Sequence, residues 1–395
     1  MARGVRRVVG ALTCSALVMV ALVTEPASAA PGVARARPGT VIASGPLPHR
    51  LWYPGATEKA FLLKYVTASP FKGNALSTGT LFLPKGRAPR GGWPVISWAH
   101  GTSGIGNSCA PSRIGPALPA RDRPYLAKWL RAGYAIVASD YVGLGTPGLM
   151  PFVNGEPTAH SVVDMVKAGR EFAGAKLGNA GQLSRRWVVV GQSQGGGAAI
   201  YTARYASELG GRGLSYQGGV ATGGFAYIER FMPLLGPGVA PIAVGHLTAY
   251  MAYILAGFRY VHPEVGINDA LTPVGLEAVK HAETECTTTL QKELEDVPIG
   301  NLFTRSLGSL PGFSEAIADY MAMPEGGFDR PLFMGNGLLD TDVPYAFPAP
   351  YAESLTLRGE PITFRTYPGD HNQTLIDSQR DTIPFVRKLF AGPAN

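Results

Sequence analysis

Between residues 57 and 224, short apolar runs alternate with stretches of helical periodicity. Ala60–Ala68 and Gly79–Leu83 read as paired strands, and Pro94–Ala99 and Tyr134–Ser139 as buried ones. Pro124–Ala132 is a short helix. Thr158–Ala175 carries Val162, Val163, Met165, Val166, Ala168 and Phe172 at helical spacing, the stripe of a helix lying on a sheet. Trp187–Gly191 and Leu214–Thr222 are further strands. Strands that alternate with helices through short connections imply a mostly parallel central sheet, covered by helices on both faces.

The rhythm stops over residues 225–326. Ile242–Phe258 is an almost continuous apolar helix pattern, too short for a comfortable membrane span, and Leu276–Glu295 and Phe313–Met321 add more polar helices. A helical insertion between two sheet strands is expected to form a cap, or lid. Arg330–Gly335 and Ile362–Tyr367 return to the sheet over residues 327–395. The terminal helix is expected to break or restart near Thr382, because Pro384 follows. Residues 57–224 and 327–395 are therefore two parts of one α/β core.

The start of the chain has a different character. Arg3, Arg6 and Arg7 precede the apolar run Val8–Val23, and Ala27-Ser28-Ala29 follows it. This is the pattern of a secretory signal peptide over residues 1–29, with cleavage expected after Ala29. Residues 30–56, rich in Pro, Gly and Arg and without periodicity, are expected to be a poorly ordered lead-in. Cleavage would leave about 366 residues, within reach of one large domain with an insertion.

Charge and cysteines narrow the classes. Loss of Arg3, Arg6, Arg7 and Glu25 lowers the formal charge of +7 by two, and the remaining charge is scattered. Nucleic-acid binding has no support, and stable membrane insertion is not expected. Without Cys14 two cysteines remain, Cys109 and Cys286; an isolated pair in an exported chain is expected to be bridged. No H-E-x-x-H or clustered Cys/His set suggests a metal.

The chemistry concentrates at strand ends. Gly191-Gln192-Ser193-Gln194-Gly195 places a serine between a strand and a small-residue helix. Alone it is a weak signal, since the chain has 51 glycines. Its context adds His100-Gly101-Thr102 after a buried strand, where a loop can supply an oxyanion donor besides the N–H of Gln194. Gly143–Gly148 matches G-x-G-x-x-G but holds Pro147, and no helix opens on it, so dinucleotide binding is rejected. In the order Ser, acid, His, only His371 follows Ser193 and the strand-end Asp340. Asp342 is a rival acid, and Asp370 is not expected to orient its neighbour. His246, His262 and His281 are expected to be surface or cap-packing residues. His100, Tyr141, Tyr250, Met251 and Ile254 are candidate substrate contacts.

Taken together, the chain resembles the secretory lipases of the α/β-hydrolase superfamily. The resemblance runs through His100-Gly101-Thr102, Ser139-Asp140-Tyr141-x-Gly143-Leu-Gly145, the helix from Thr158 and Gly191–Gly196, then the helical cap, Asp340-x-x-Val-Pro344 and His371. It implies an α/β-hydrolase fold with an inserted cap and a Ser193–Asp340–His371 triad. It further implies a lipase or carboxylesterase needing no cofactor, with a lipid or small ester as substrate and action at a lipid–water interface in view. The secreted chain is expected to be a monomer. A secreted peptidase of the same fold, or a non-catalytic binding protein, are the alternative readings.

Overall fold

The computed structural model describes Met1 and residues 31–239 and 245–392. The expected signal peptide lies outside the described residues. Nine strands form one sheet among them: β1 (Val41–Pro46), β2 (Thr57–Ala68), β3 (Asn74–Pro84), β4 (Trp93–Ala99), β5 (Ala135–Ser139), β6 (Leu183–Gln192), β7 (Ser215–Thr222), β8 (Leu332–Gly337) and β9 (Ile362–Tyr367). Their order is β1-β2-β3-β5-β4-β6-β7-β8-β9. The pairs from β1 to β5 through β3 are antiparallel. All pairs from β5 onward are parallel.

The parallel centre explains the apolar runs. Val188, Val189 and Val190 of β6 are fully buried, because side chains on both faces meet a helical layer. One layer holds the helices Gly155–Lys176 and Gln194–Gly210, with Val162, Val166 and Ile200 in its core. The other holds Pro119–Arg131 and Gln379–Ala391, with Leu126, Trp129 and Val386. Parallel strands also bring their carboxyl ends to one edge, which is where β4, β6, β7 and β8 deliver the loops described below.

Three expectations are corrected. Of the lead-in expected over residues 30–56, the described residues 31–56 are not poorly ordered: β1 pairs with β2 from Val41↔Tyr65 to Pro46↔Phe61, and Leu47, Leu51 and Tyr53 are buried. Main-chain pairing with the next strand orders this segment, and such pairing leaves no periodic trace in its own sequence. The single helix expected over Leu276–Glu295 is two, Pro273–Ala282 and Thr287–Glu293, parted where Cys286 is bridged. The terminal break falls at Ser378, between His371–Asp377 and Gln379–Ala391, so Pro384 lies inside a helix. The acceptor its ring forgoes is the Arg380 carbonyl in the first turn, and the helix runs on past it.

Between β7 and β8 the chain is helical, with Gly245–Val261, Pro273–Ala282, Thr287–Glu293 and Phe313–Met321 as its α-helices among the described residues. Gly245–Val261 buries Ala249, Tyr253, Ala256 and Phe258. No helix of the described residues is long and apolar enough to cross a membrane. The Cys109–Cys286 disulfide, spanning 177 positions, ties this segment to the loop after β4. Thr287 N–H donates to the Ser103 carbonyl at 3.1 Å alongside it.

Candidate active site

β6 ends at Gln192, and the helix Gln194–Gly210 starts two residues later, so Ser193 must reverse the chain. It does so at φ 62° and ψ −122°, a conformation costing about 1–3 kcal/mol for a residue with a side chain. The Ser193 N–H donates to the Thr222 carbonyl at 2.9 Å, and Ser193 accepts from the Gly197 N–H at 3.1 Å. The flanking glycines answer a steric demand. A Cβ at Gly191 would overlap the Gly195 carbonyl, and one at Gly195 would overlap the Ala99 carbonyl at the end of β4. Gln194 is the first residue of the helix, where N–H groups have no intrahelical acceptor.

Asp340 lies in the loop after β8 and His371 opens the helix His371–Asp377 after β9. Asp340 Oδ2 is 2.7 Å from His371 Nδ1. Its Oδ1 accepts from the main-chain N–H groups of Val343 at 2.7 Å and Asp342 at 3.0 Å. Both side chains are almost fully buried, and both oxygens of the carboxylate are engaged by these partners. His371 Nε2 is buried without a hydrogen-bond partner among the described residues, and His371 shares a cavity with Ser193. Asp342 occupies a different place. Its Oδ2 is 3.9 Å from His371 Nε2, and its Oδ1 is 2.9 Å from His246 Nε2. Asp370 caps the helix, accepting from the Gln373 N–H at 2.8 Å.

The loop after β4 lies against the elbow: a Cβ on Gly101 would come to 3.5 Å from that of Ser193. His100 is buried, and burial pushes its imidazole below the ordinary value. Its Nδ1 lies 2.7 Å from the Gly101 carbonyl, which fixes the turn into Gly101 and Thr102. Tyr141 stacks on His100 at 4.4 Å between ring centroids and donates its hydroxyl to the His100 carbonyl at 3.0 Å. With 1% exposure Tyr141 stands behind the loop, so the expectation of a substrate contact there is corrected to a supporting one. Asp140 anchors the region from below, accepting from the Thr78 hydroxyl at 2.7 Å and the Ser112 N–H at 2.9 Å.

Two cavities meet at Ser193. One, of about 320 Å³, is bordered by the helical segment between β7 and β8 and walled by apolar side chains that include Phe225, Leu247, Met251 and Ile254. The other, of about 260 Å³, is the more polar of the two, with His100, Arg121, His246, Gln291 and His371 in its wall beside Pro111, Pro116 and Leu118. Thr102, Ser193, Tyr250 and Asp342 border both. Tyr250, Met251 and Ile254 thus line a cavity together with Ser193, as do Gly101 and Thr102 in the polar cavity.

Two residues at the site escape a sequence reading. Gln192 is fully buried; its Nε2 donates to the His371 carbonyl at 2.9 Å, and its Oε1 accepts from the Thr222 hydroxyl. Its place beside the serine was visible, but its partner is 179 positions away. His246 was expected to be a surface or packing residue. It instead lines the polar cavity beside Asp342, because the first turn of Gly245–Val261 crosses the loop after β8. By contrast His262 pairs with Glu264 at 2.9 Å and His281 with Glu293 at 3.1 Å, away from Ser193.

Comparison with known proteins agrees with this architecture. No protein-family model matches the chain. A secreted triacylglycerol lipase of Malassezia globosa, LIP7, is 26% identical over 68% of this chain and 56% of its own length. The chain thus spans little more than half of that relative. Candida antarctica lipase A in its closed state superposes with a TM-score of 0.75 at 18% identity, over 93% of this chain and 85% of that one. The rice cell wall degrading esterase LipA of Xanthomonas oryzae gives 0.71 at 18% identity, over 89% and 98%. The fold is the α/β-hydrolase fold, in the form seen in these lipases and esterases.

Proposed function

We propose that this secretory-lipase-like α/β-hydrolase is a secreted carboxylic ester hydrolase, a lipase, working through Ser193, His371 and Asp340. The observation that carries the reading is the buried 2.7 Å contact of Asp340 Oδ2 with His371 Nδ1, facing a cavity that also holds the strained Ser193. Ser193, Asp340 and His371 come from three loops at the carboxyl edge of the sheet, which supports this chemistry.

In this reading His371 Nε2 takes the Ser193 proton as Oγ attacks the acyl carbonyl. Asp340 holds the Nδ1–H and balances the imidazolium. The N–H groups of Gln194 and of the Gly101–Thr102 loop receive the oxyanion, each worth about 3–4 kcal/mol where such donors have been removed. His371 then protonates the leaving alcohol, and water enters by the same base to release the acid. The apolar cavity under the cap receives the acyl chain, and the segment between β7 and β8 acts as the lid over it. Export accords with the Arg-rich, apolar first residues and with a disulfide, which persists in oxidising compartments.

Hydrolysis of p-nitrophenyl acyl esters by the secreted protein tests the reading, together with labelling by an alkyl phosphonate. Turnover that vanishes in Ser193→Ala, and a phosphonate adduct on Ser193, are the expected results. Full turnover in that variant would overturn it.

A further inference from the structure

A carboxylate stands near each nitrogen of the His371 ring. Asp340 Oδ2 meets Nδ1 at 2.7 Å, and Asp342 Oδ2 lies 3.9 Å from Nε2, the nitrogen without a hydrogen-bond partner among the described residues. The main chain of Asp342 is pinned, since its N–H donates to Asp340 Oδ1 at 3.0 Å. Its side chain can still turn, and an approach of about 1 Å would put Oδ2 within hydrogen-bond distance of Nε2. A carboxylate bonded there would keep a proton on Nε2, and that nitrogen could no longer accept one from Ser193. A working base therefore requires that Asp342 be held off.

What holds Asp342 comes from the helical segment between β7 and β8. His246 Nε2, in the first turn of Gly245–Val261, is 2.9 Å from Asp342 Oδ1. Two lone pairs would repel at that distance, so Nε2 carries a proton there. It forms no aligned hydrogen bond among the described residues, so the hold is electrostatic. It acts on the oxygen other than the one facing His371. One turn further, the Tyr250 hydroxyl donates to Asp342 Oδ2 at 3.5 Å. Burial, and after it the charge of Asp342, push that hydroxyl up, so it stays a donor. Gln291 Nε2, in the helix Thr287–Glu293, donates to the Tyr250 oxygen at 3.2 Å, which leaves the Tyr250 proton for Asp342. Asp340, by contrast, is held by N–H groups of its own loop.

We infer that His246 is a positioning residue: with Tyr250 it keeps the Asp342 carboxylate off His371 Nε2, so that the base stays open to the Ser193 proton. This rests on the ester hydrolase reading above and adds to it a residue outside the triad. His246 touches none of the reacting atoms in this role and acts through Asp342. Its loss harms the enzyme only while the Asp342 carboxylate is present, and the harm falls on the chemical step rather than on binding.

Steady-state kinetics on p-nitrophenyl octanoate, below its solubility limit, tests this with His246→Leu, Asp342→Ala and the double variant. His246→Leu alone is expected to lower kcat about tenfold or more with KM little changed. In the Asp342→Ala background the same change is expected to cost less than about twofold, because no carboxylate is left to reach Nε2. An equal fold-loss in both backgrounds, or no loss with Asp342 present, overturns the inference and leaves the hydrolase reading standing. A wild type without turnover overturns both. Should the melting curve show that His246→Leu does not fold, Tyr250→Phe carries the same comparison with the same two outcomes, since it removes the other contact on Asp342.

Discussion

The side-chain amide of Gln192 donates to the main-chain oxygen of His371 at 2.9 Å, while its oxygen is held by the Thr222 hydroxyl. The residue just before Ser193 thereby holds the backbone of His371 in place. Both partners are buried, so the bond is not traded against water. Gln192→Met is expected to lower kcat about 10- to 100-fold with KM little changed, since a small displacement of a base costs rate rather than binding. Steady-state kinetics on a soluble ester separates the two parameters, and a change confined to KM would contradict the positioning role.

The two acids after β8 make a sharp comparison. Asp340→Asn, which removes the charge facing His371 Nδ1, is expected to cut kcat by about 10³- to 10⁴-fold. Asp342→Asn is expected to cost no more than about tenfold, because Asp342 faces the cavity and His246 instead. Equal losses in the two variants would count against the assignment.

Chain-length preference should depend on Met251 and Ile254, both buried along the apolar cavity. Placing a polar group there by Ile254→Asn leaves it without a partner when a long chain fills the space. The ratio of kcat/KM for decanoate over butyrate esters is expected to fall about tenfold, a drop comparable to one to two kcal/mol of lost apolar contact. An unchanged ratio would mean that the acyl chain lies elsewhere.

The Cys109–Cys286 bridge ties the segment at Pro111 to the helix at Thr287, and both residues line the polar cavity. Cys109→Ser with Cys286→Ser is expected to lower stability by up to about 4–5 kcal/mol, the chain-entropy value for so long a loop. Thermal unfolding with and without reductant measures it. A wild-type melting temperature indifferent to reductant would mean that the bridge does not form.

Burial holds His100 neutral, so its folded value lies below the ordinary 6.5 of the unfolded chain. As pH falls through that value the unfolded state takes up a proton that the folded state refuses, and stability drops. The contribution is whole above pH 6.5 and declines towards the folded value. His100→Gln should therefore lose less stability than the wild type between pH 7 and pH 5, as read from unfolding curves across that range. Parallel pH dependences would exclude His100 as the source.

Much of this protein is legible in its residues. The apolar runs and helical stripes located eight of the nine strands among the described residues, those of the parallel centre because a sheet covered on both faces needs continuous apolar segments. The glycines around Ser193 marked the elbow, since no other residue allows the chain to cross β4 so closely. The order Ser, acid, His pointed to Ser193 and His371, with Asp340 preferred and Asp342 as its rival. What tertiary structure alone decided is what depends on distant partners. The edge strand β1 owes its order to main-chain bonds with β2. Asp340 rather than Asp342 reaches His371 Nδ1 because the loop after β8 donates two N–H groups to its other oxygen. Gln192 and His246 acquire their places only when loops far apart in sequence meet. Local patterns encode what a segment forms, whereas side-chain convergence is a property of the packed chain, and one dimension carries no record of it.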